Sequence, residues 1–153
     1  MSHHDTDVMY TVTDRVYKCL DSKFPFWEPI SDYIPFDQFT ATSLSESKMR
    51  PGILYATFND GSVVVTKNDG QQWTPINAGL PNRYPTSIKA SPTSESRVYI
   101  TFSGYTEFDN QTYVFRSNNF GVSWTDISGD LPDIPVNDLV TVSYTHLTLP
   151  TKA

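Results

Sequence analysis

Three tryptophans define an internal repeat, and this repeat limits the possible folds more than any other feature of the chain. Trp27, Trp73 and Trp124 lie 46 and 51 residues apart in a sequence of 153 residues. Each is followed by isoleucine at the third position and by an aliphatic residue and proline at the seventh and eighth: Ile30, Ile76 and Ile127, then Ile34-Pro35, Leu80-Pro81 and Leu131-Pro132. Coincident offsets in three copies indicate a repeated structural unit.

Each copy contains short stretches of β-branched and aromatic residues that predict strands. One strand is predicted at 9–12, 54–57 and 98–101, and the next at 16–19, 63–66 and 114–117. The tryptophan segment supplies a third, and a further strand follows the proline, at 86–91 and 136–141. Four strands in about 45 to 50 residues is the pattern of a β-propeller blade. The sequence therefore predicts an all-β chain that forms a partial β-propeller of four-stranded antiparallel blades.

The repeat also predicts how the chain is divided. We expect a partial blade at about 6–31, full blades at about 39–77 and 85–129, and the first strand of a further blade at 133–141. The third copy has a longer connection than the others, placed at 104–111. Residues 6–141 thus form about two and a half blades, and the missing blades of the parent chain are expected partners.

Two segments of the repeat resemble a known motif. Residues 66–73 and 117–124 are similar to the Asp box, Ser/Thr-x-Asp-x-Gly-x-x-Trp, of BNR-like repeats in sialidases, xyloglucan-cleaving endoglucanases and sortilin-type receptors. The matching residues are Thr66, Asn68, Gly70 and Trp73, and Ser117, Asn119, Gly121 and Trp124. Asparagine stands where the family has aspartate, and the first copy, residues 20–27, keeps only its tryptophan. The resemblance extends to repeats of large secreted Bacteroidetes-type proteins, and it implies a secreted or cell-surface bacterial protein.

The chemistry of this motif predicts a structural role. Gly70 and Gly121 can adopt the positive φ that a tight turn needs, and Asn68 and Asn119 can accept bonds from backbone N–H groups of the turn. The tryptophan is expected to pack between neighbouring blades. We therefore expect these turns to stabilise the fold rather than to bind a ligand.

The last residues depart from the repeat. Residues 142–151 resemble one reading frame of a translated sequencing adaptor. We expect the native repeat to end near Thr141 and residues 142–153 to be an artefactual tail.

The candidate ligand face is the end of the blades opposite the two turns. The residues predicted there are Arg83, Tyr84, Tyr105, Glu107 and Asp109. Aromatic rings with carboxylates suit sugar binding, although exposed loops commonly contain the same residue types. The favoured function is a structural or ligand-presenting propeller for a glycan or protein ligand. Two alternatives stay open: part of a sialidase- or xyloglucanase-like glycoside hydrolase whose catalytic residues, unknown here, lie elsewhere, and a sortilin-like protein-binding propeller.

Composition excludes several other classes. The net charge is −6 and the basic residues are scattered, so the basic stripe of a nucleic-acid groove is absent. No apolar run approaches the roughly 20 residues that a membrane helix needs. His3, His4 and Asp5 lack a further spaced ligand, so neither a metal site nor a cofactor is predicted.

Overall fold

The computed structural model describes residues 1–32, 40–104 and 110–142, and these residues form strands without any helix. The strands lie in three antiparallel sheets, each ordered as in the sequence. The first sheet contains β1 (Met9–Val12), β2 (Val16–Cys19) and β3 (Trp27–Pro29). The second contains β4 (Ala41–Glu46), β5 (Leu54–Phe58), β6 (Val63–Thr66) and β7 (Thr74–Pro75). The third contains β8 (Tyr84–Ala90), β9 (Val98–Ser103), β10 (Tyr113–Ser117) and β11 (Thr125–Asp126). The predicted all-β class is confirmed.

A serine a few residues before β1, β5 and β9 reveals a further element of the repeat. Ser2, Ser47 and Ser91 each stand eight residues before a tyrosine of β1, β5 or β9. Their backbone N–H groups donate to the carbonyls of Val8, Ile53 and Arg97 at 2.8, 2.9 and 2.9 Å. This Ser-x7-Tyr spacing is also visible in the sequence.

The three sheets stack face to face. The first strands of the second and third sheets lie side by side, and the Ile88 and Ala90 N–H groups of β8 donate to the hydroxyls of Ser43 and Ser45 of β4 at 3.1 and 2.9 Å. A large apolar core fills the space between these two sheets: Ile53, Tyr55, Val63, Val65, Ile76, Ile88, Ala90, Val98, Ile100, Phe102 and Phe115. A smaller core of Val16, Ala56 and Phe58 joins the first sheet to the second. Stacked, consecutive antiparallel sheets of three and four strands form a partial β-propeller, as predicted.

Residues 133–141 do not form the strand that the repeat predicts. They lie beside β8 and are held there by hydrogen bonds. The Thr86 hydroxyl donates to the Val136 carbonyl at 2.7 Å, and the Ser87 hydroxyl donates to the Asp138 carboxylate at 2.6 Å. The first strand of a blade forms its ladder of hydrogen bonds with the second strand of the same sheet, as β4 does with β5. No described residue pairs with 133–141 in this way, and the segment is therefore irregular.

Candidate functional site

The turns at 66–73 and 117–124 are closed by their own side chains. In the first, the Thr66 hydroxyl oxygen accepts from Gly70 N (3.0 Å), and Asn68 Oδ1 accepts from Gln72 N (2.9 Å). In the second, Ser117 accepts from Gly121 N (2.8 Å), and Asn119 Oδ1 accepts from Ser123 N (2.9 Å). Thr66 and Ser117 also donate their hydroxyl protons to the asparagine oxygens, at 2.9 and 2.8 Å. The hydroxyls and amide oxygens of the motif residues, Thr66 with Asn68 and Ser117 with Asn119, are thus engaged within their own turns.

The tryptophan of each turn contacts the preceding sheet. Trp73 Nε1 donates to the Ile30 carbonyl at 3.0 Å, and Trp124 Nε1 donates to the Ile76 carbonyl at 2.8 Å. Trp27 is 38% exposed. Trp27 has the same position in its own sheet, but it faces a side on which the described residues place no other sheet. The surroundings expected for all three tryptophans therefore occur for Trp73 and Trp124 only.

The residue before each glycine also reaches the preceding sheet. Asp69 forms an ion pair with Lys18 and accepts a hydrogen bond from the Tyr10 hydroxyl at 3.2 Å. Burial, reinforced by the negative charge of Asp69, raises the pKa of Tyr10. At the corresponding position in the third sheet, Phe120 lies under the ammonium of Lys67, 5.0 Å from the ring centroid. These contacts are specific to each pair of sheets, whereas the tryptophan contact repeats.

The opposite end of the sheets carries the turns between the second and third strands of the four-stranded sheets and the connections between blades. We call its described part, residues 40, 59–62, 77–84 and 110–112, the loop face. Asn59 N donates to the Thr40 carbonyl at 2.9 Å, and Thr40 N donates back to Asn59 Oδ1 at 3.0 Å. Asn77 Nδ2 donates to the Gly61 carbonyl at 2.6 Å. The connections that form this face are therefore held to one another by hydrogen bonds.

Arg83 and Tyr84 lie on the loop face beside the 59–61 turn. A Cβ at Gly61 would lie 3.1 Å from Asn82 Oδ1 and 3.2 Å from the Arg83 carbonyl oxygen, so the two segments are in direct contact. Tyr84 begins β8, pairs with Ser103 and is 40% exposed, while Arg83 is half-buried.

Three of the five predicted ligand-face residues, Tyr105, Glu107 and Asp109, lie outside the described residues. Ser103, at the end of β9, leads into that segment, so Arg83 and Tyr84 are close to where it begins.

One carboxylate of the loop face, that of Asp60, accepts hydrogen bonds within its own turn. Asp60 accepts bonds from the backbone N–H and the hydroxyl of Ser62, at 2.9 and 2.6 Å. Within residues 1–32, 40–104 and 110–142, no three His, Cys, Asp or Glu side chains are arranged as metal ligands. The same ranges hold no helix with the length and apolar character that a membrane crossing requires.

Known proteins resemble the chain in structure rather than in sequence. No family model and no curated protein sequence matches it. YCF48 bound to D1 peptide superposes with a TM-score of 0.61 at 18% identity, over 80% of this chain and 38% of that one. The GH74 xyloglucanase from Xanthomonas campestris gives 0.60 at 15% identity, over 87% and 20%. The GH74 enzyme from Niastella koreensis gives 0.58 at 15% identity, over 94% and 22%.

These neighbours are β-propeller proteins and support the same class for this chain. The chain spans well under half the length of each. At such identities the likeness concerns the fold alone.

Proposed function

We propose that the chain is a ligand-presenting stretch of an Asp-box propeller, with the loop face as its binding surface. The observation that carries this proposal is the hydrogen bonding between connections: Asn59 with Thr40, and Asn77 with Gly61. Loops that hold one another in place present their side chains without a large ordering cost on binding. Their rigidity supports a binding role for Arg83 and Tyr84.

A glycan is the proposed ligand. Tyr84 is 40% exposed. Its ring can stack on the C–H face of a sugar, and the Arg83 guanidinium can donate to hydroxyl or carboxylate oxygens. The 66–73 and 117–124 turns are proposed as structural Asp boxes, because the side chains of their motif residues bond within the turn and their indoles bond to the preceding sheet. A secreted or cell-surface location belongs to the same proposal.

Titration calorimetry with xyloglucan oligosaccharides, preceded by a glycan array, tests this proposal. Arg83→Ala and Tyr84→Ala should each weaken binding about tenfold, which corresponds to a loss of roughly 1.4 kcal/mol. Val122→Ala is the matched control, because Val122 is 71% exposed in the 117–124 turn at the other end of the sheets. Absence of binding to every glycan on the array, or equal binding by all three variants, would contradict the proposal.

Glycoside hydrolysis is the second candidate, and the two GH74 neighbours are the reason to test it. Hydrolysis of xyloglucan produces new reducing ends. Measuring them in the same samples separates turnover from binding. A third outcome, binding to a peptide library without binding to glycans, would favour the sortilin-like alternative.

A further inference from the structure

A second surface lies at the end of the sheets that carries the two turns. Residues 20–28 of the first sheet and Asp69 of the second sheet enclose a groove of about 330 Å³. We call it the 20–28 groove. Its walls include the side chains of Leu20, Phe24, Phe26, Asp21 and Glu28. This groove and the loop face are therefore at opposite ends of the sheets.

Three large apolar side chains of the groove are exposed to solvent. Leu20 is 64% exposed, Phe24 80% and Phe26 73%. Leaving three such side chains in water within seven residues forgoes the free energy that their burial would provide. A contiguous exposed apolar patch of this kind commonly marks an interaction site.

The repeat shows that this exposure is particular to the first sheet. Counted back from tryptophan, the position of Phe26 is held by Gln72 and Ser123 in the other two sheets. Counted forward from the preceding strand, the position of Leu20 is held by Lys67 and Asn118. At these two positions the other turns carry polar side chains, so the repeat itself does not require apolar residues there.

Charge in the groove is predominantly negative. Asp69 is already paired with Lys18 and bonded to Tyr10, so that ammonium is neutralised within the protein. The carboxylates of Asp21 and Glu28 stand beside the exposed rings, and the whole chain carries a net charge of −6. The groove therefore favours a cationic partner over an anionic one.

We propose that the 20–28 groove binds an extended peptide segment in which arginine stands next to an aliphatic residue. A guanidinium stacks on aromatic faces and bonds to carboxylates at the same time, which matches phenylalanine rings beside Asp21 and Glu28. The aliphatic neighbour covers Leu20, and the volume suits one or two side chains. This surface and its ligand class differ from those of the loop face.

Fluorescence anisotropy with a labelled Ala-Leu-Arg-Leu-Arg-Ala peptide tests the proposal, with the glutamate analogue of that peptide as the negative probe. The intact chain should bind the arginine peptide at least about tenfold more tightly than the analogue, and added salt should weaken binding. Phe24→Ser with Phe26→Ser should reduce affinity about tenfold, and Glu28→Gln several-fold. Both phenylalanines are exposed, so circular dichroism and the melting midpoint should stay unchanged.

Val122→Ser is the matched control, because it removes an exposed apolar side chain from the third sheet's turn. Equal binding of the two peptides, or unchanged binding by the Phe24/Phe26 variant, would overturn the proposal. So would self-association in sedimentation velocity that the Phe24/Phe26 variant abolishes, because a second copy would then be the occupant. Arg83→Ala should leave peptide binding intact, so failure here is distinguishable from failure of the glycan proposal.

Discussion

The indole N–H of Trp124 donates a 2.8 Å hydrogen bond to the backbone carbonyl of Ile76, which belongs to the preceding sheet. Trp73 makes the same bond to Ile30 at 3.0 Å. Because each isoleucine lies three residues after the previous tryptophan, one short sequence pattern provides both the donor of one contact and the acceptor of the next. The repeat therefore specifies how neighbouring sheets are joined, as well as what each sheet contains.

Replacing Trp124 with phenylalanine tests the hydrogen bond separately from ring packing. Trp124→Phe should lower the free energy of unfolding by about 1–2 kcal/mol, because the Ile76 carbonyl loses its donor. Trp27→Phe is the matched control, and because Trp27 is 38% exposed its effect should stay within about 0.5 kcal/mol. Urea denaturation followed by far-ultraviolet circular dichroism measures both. Equal losses in the two variants would show that the bond between sheets contributes nothing.

Gly121 and Gly79 separate backbone strain from contact between sheets. Both have positive φ, +85° and +86°, but a Cβ at Gly121 would lie 2.5 Å from Ile76 Cδ1, whereas a Cβ at Gly79 meets nothing within 4 Å. Gly79→Ala should cost about 1–2 kcal/mol from its left-handed backbone alone. Gly121→Ala should cost a further 1–3 kcal/mol or so from overpacking against Ile76.

Thermal unfolding of the two glycine variants provides the measurement. Combining Ile76→Val with Gly121→Ala provides a second test. Removing Cδ1 should recover part of the loss caused by Gly121→Ala, because that atom is the nearest neighbour of the added Cβ. Identical melting midpoints for Gly79→Ala and Gly121→Ala would refute close packing between this turn and the preceding sheet.

The tryptophan offsets were sufficient to predict an all-β partial propeller, because strand pattern, turn chemistry and repeat length agreed. They were misleading for residues 133–141, because a strand needs a partner and the apolar alternation of one segment carries no information about its partner. They also gave no warning that Trp27 would be 38% exposed. Burial of that side chain depends on a neighbouring sheet, which a local pattern cannot reveal.

The candidate face was harder to predict than the fold. Strand counting places Arg83 and Tyr84 at one end of the blades, but their contact with the 59–61 turn is seen only in the folded structure. The 20–28 groove was not anticipated, although its signal was present in the sequence. Leu20 and Phe26 stand at positions where the other two copies carry polar residues.

The asparagines of the two turns should tolerate aspartate but not alanine. Asn68 Oδ1 accepts from Gln72 N and from the Thr66 hydroxyl, and a carboxylate oxygen can accept both bonds. Asn68→Asp should therefore change the free energy of unfolding by less than about 0.5 kcal/mol, whereas Asn68→Ala should cost about 1–2 kcal/mol. Chemical denaturation at pH 7 compares the two variants. A loss for aspartate as large as that for alanine would mean that the side-chain oxygen is not the feature that closes the turn.

Tyr55 gives a prediction for alkaline pH. Its side chain is fully buried, and its hydroxyl has no hydrogen-bond partner among the described residues. Burial, with a smaller contribution from Glu95, raises the pKa of Tyr55 above its ordinary value of 10.0. A raised folded-state pKa contributes stability that is complete below the unfolded-state value of about 10 and is lost as the pH rises toward the folded-state value.

Tyr55→Phe should therefore be neutral or stabilising by about 1 kcal/mol at pH 7, because it removes a buried hydroxyl that nothing satisfies. It should also weaken the fall in stability above pH 10 without abolishing it, because the pKa of Tyr10 is raised as well. Tyr10→Phe is the matched variant: it loses the bond to Asp69 and should be destabilising at pH 7. Urea midpoints at pH 7, 9.5 and 10.5 measure both effects. Destabilisation by Tyr55→Phe at pH 7 would show that its hydroxyl is satisfied in solution. A fall in stability above pH 10 that is as steep in Tyr55→Phe as in the unchanged protein would contradict the raised pKa of Tyr55.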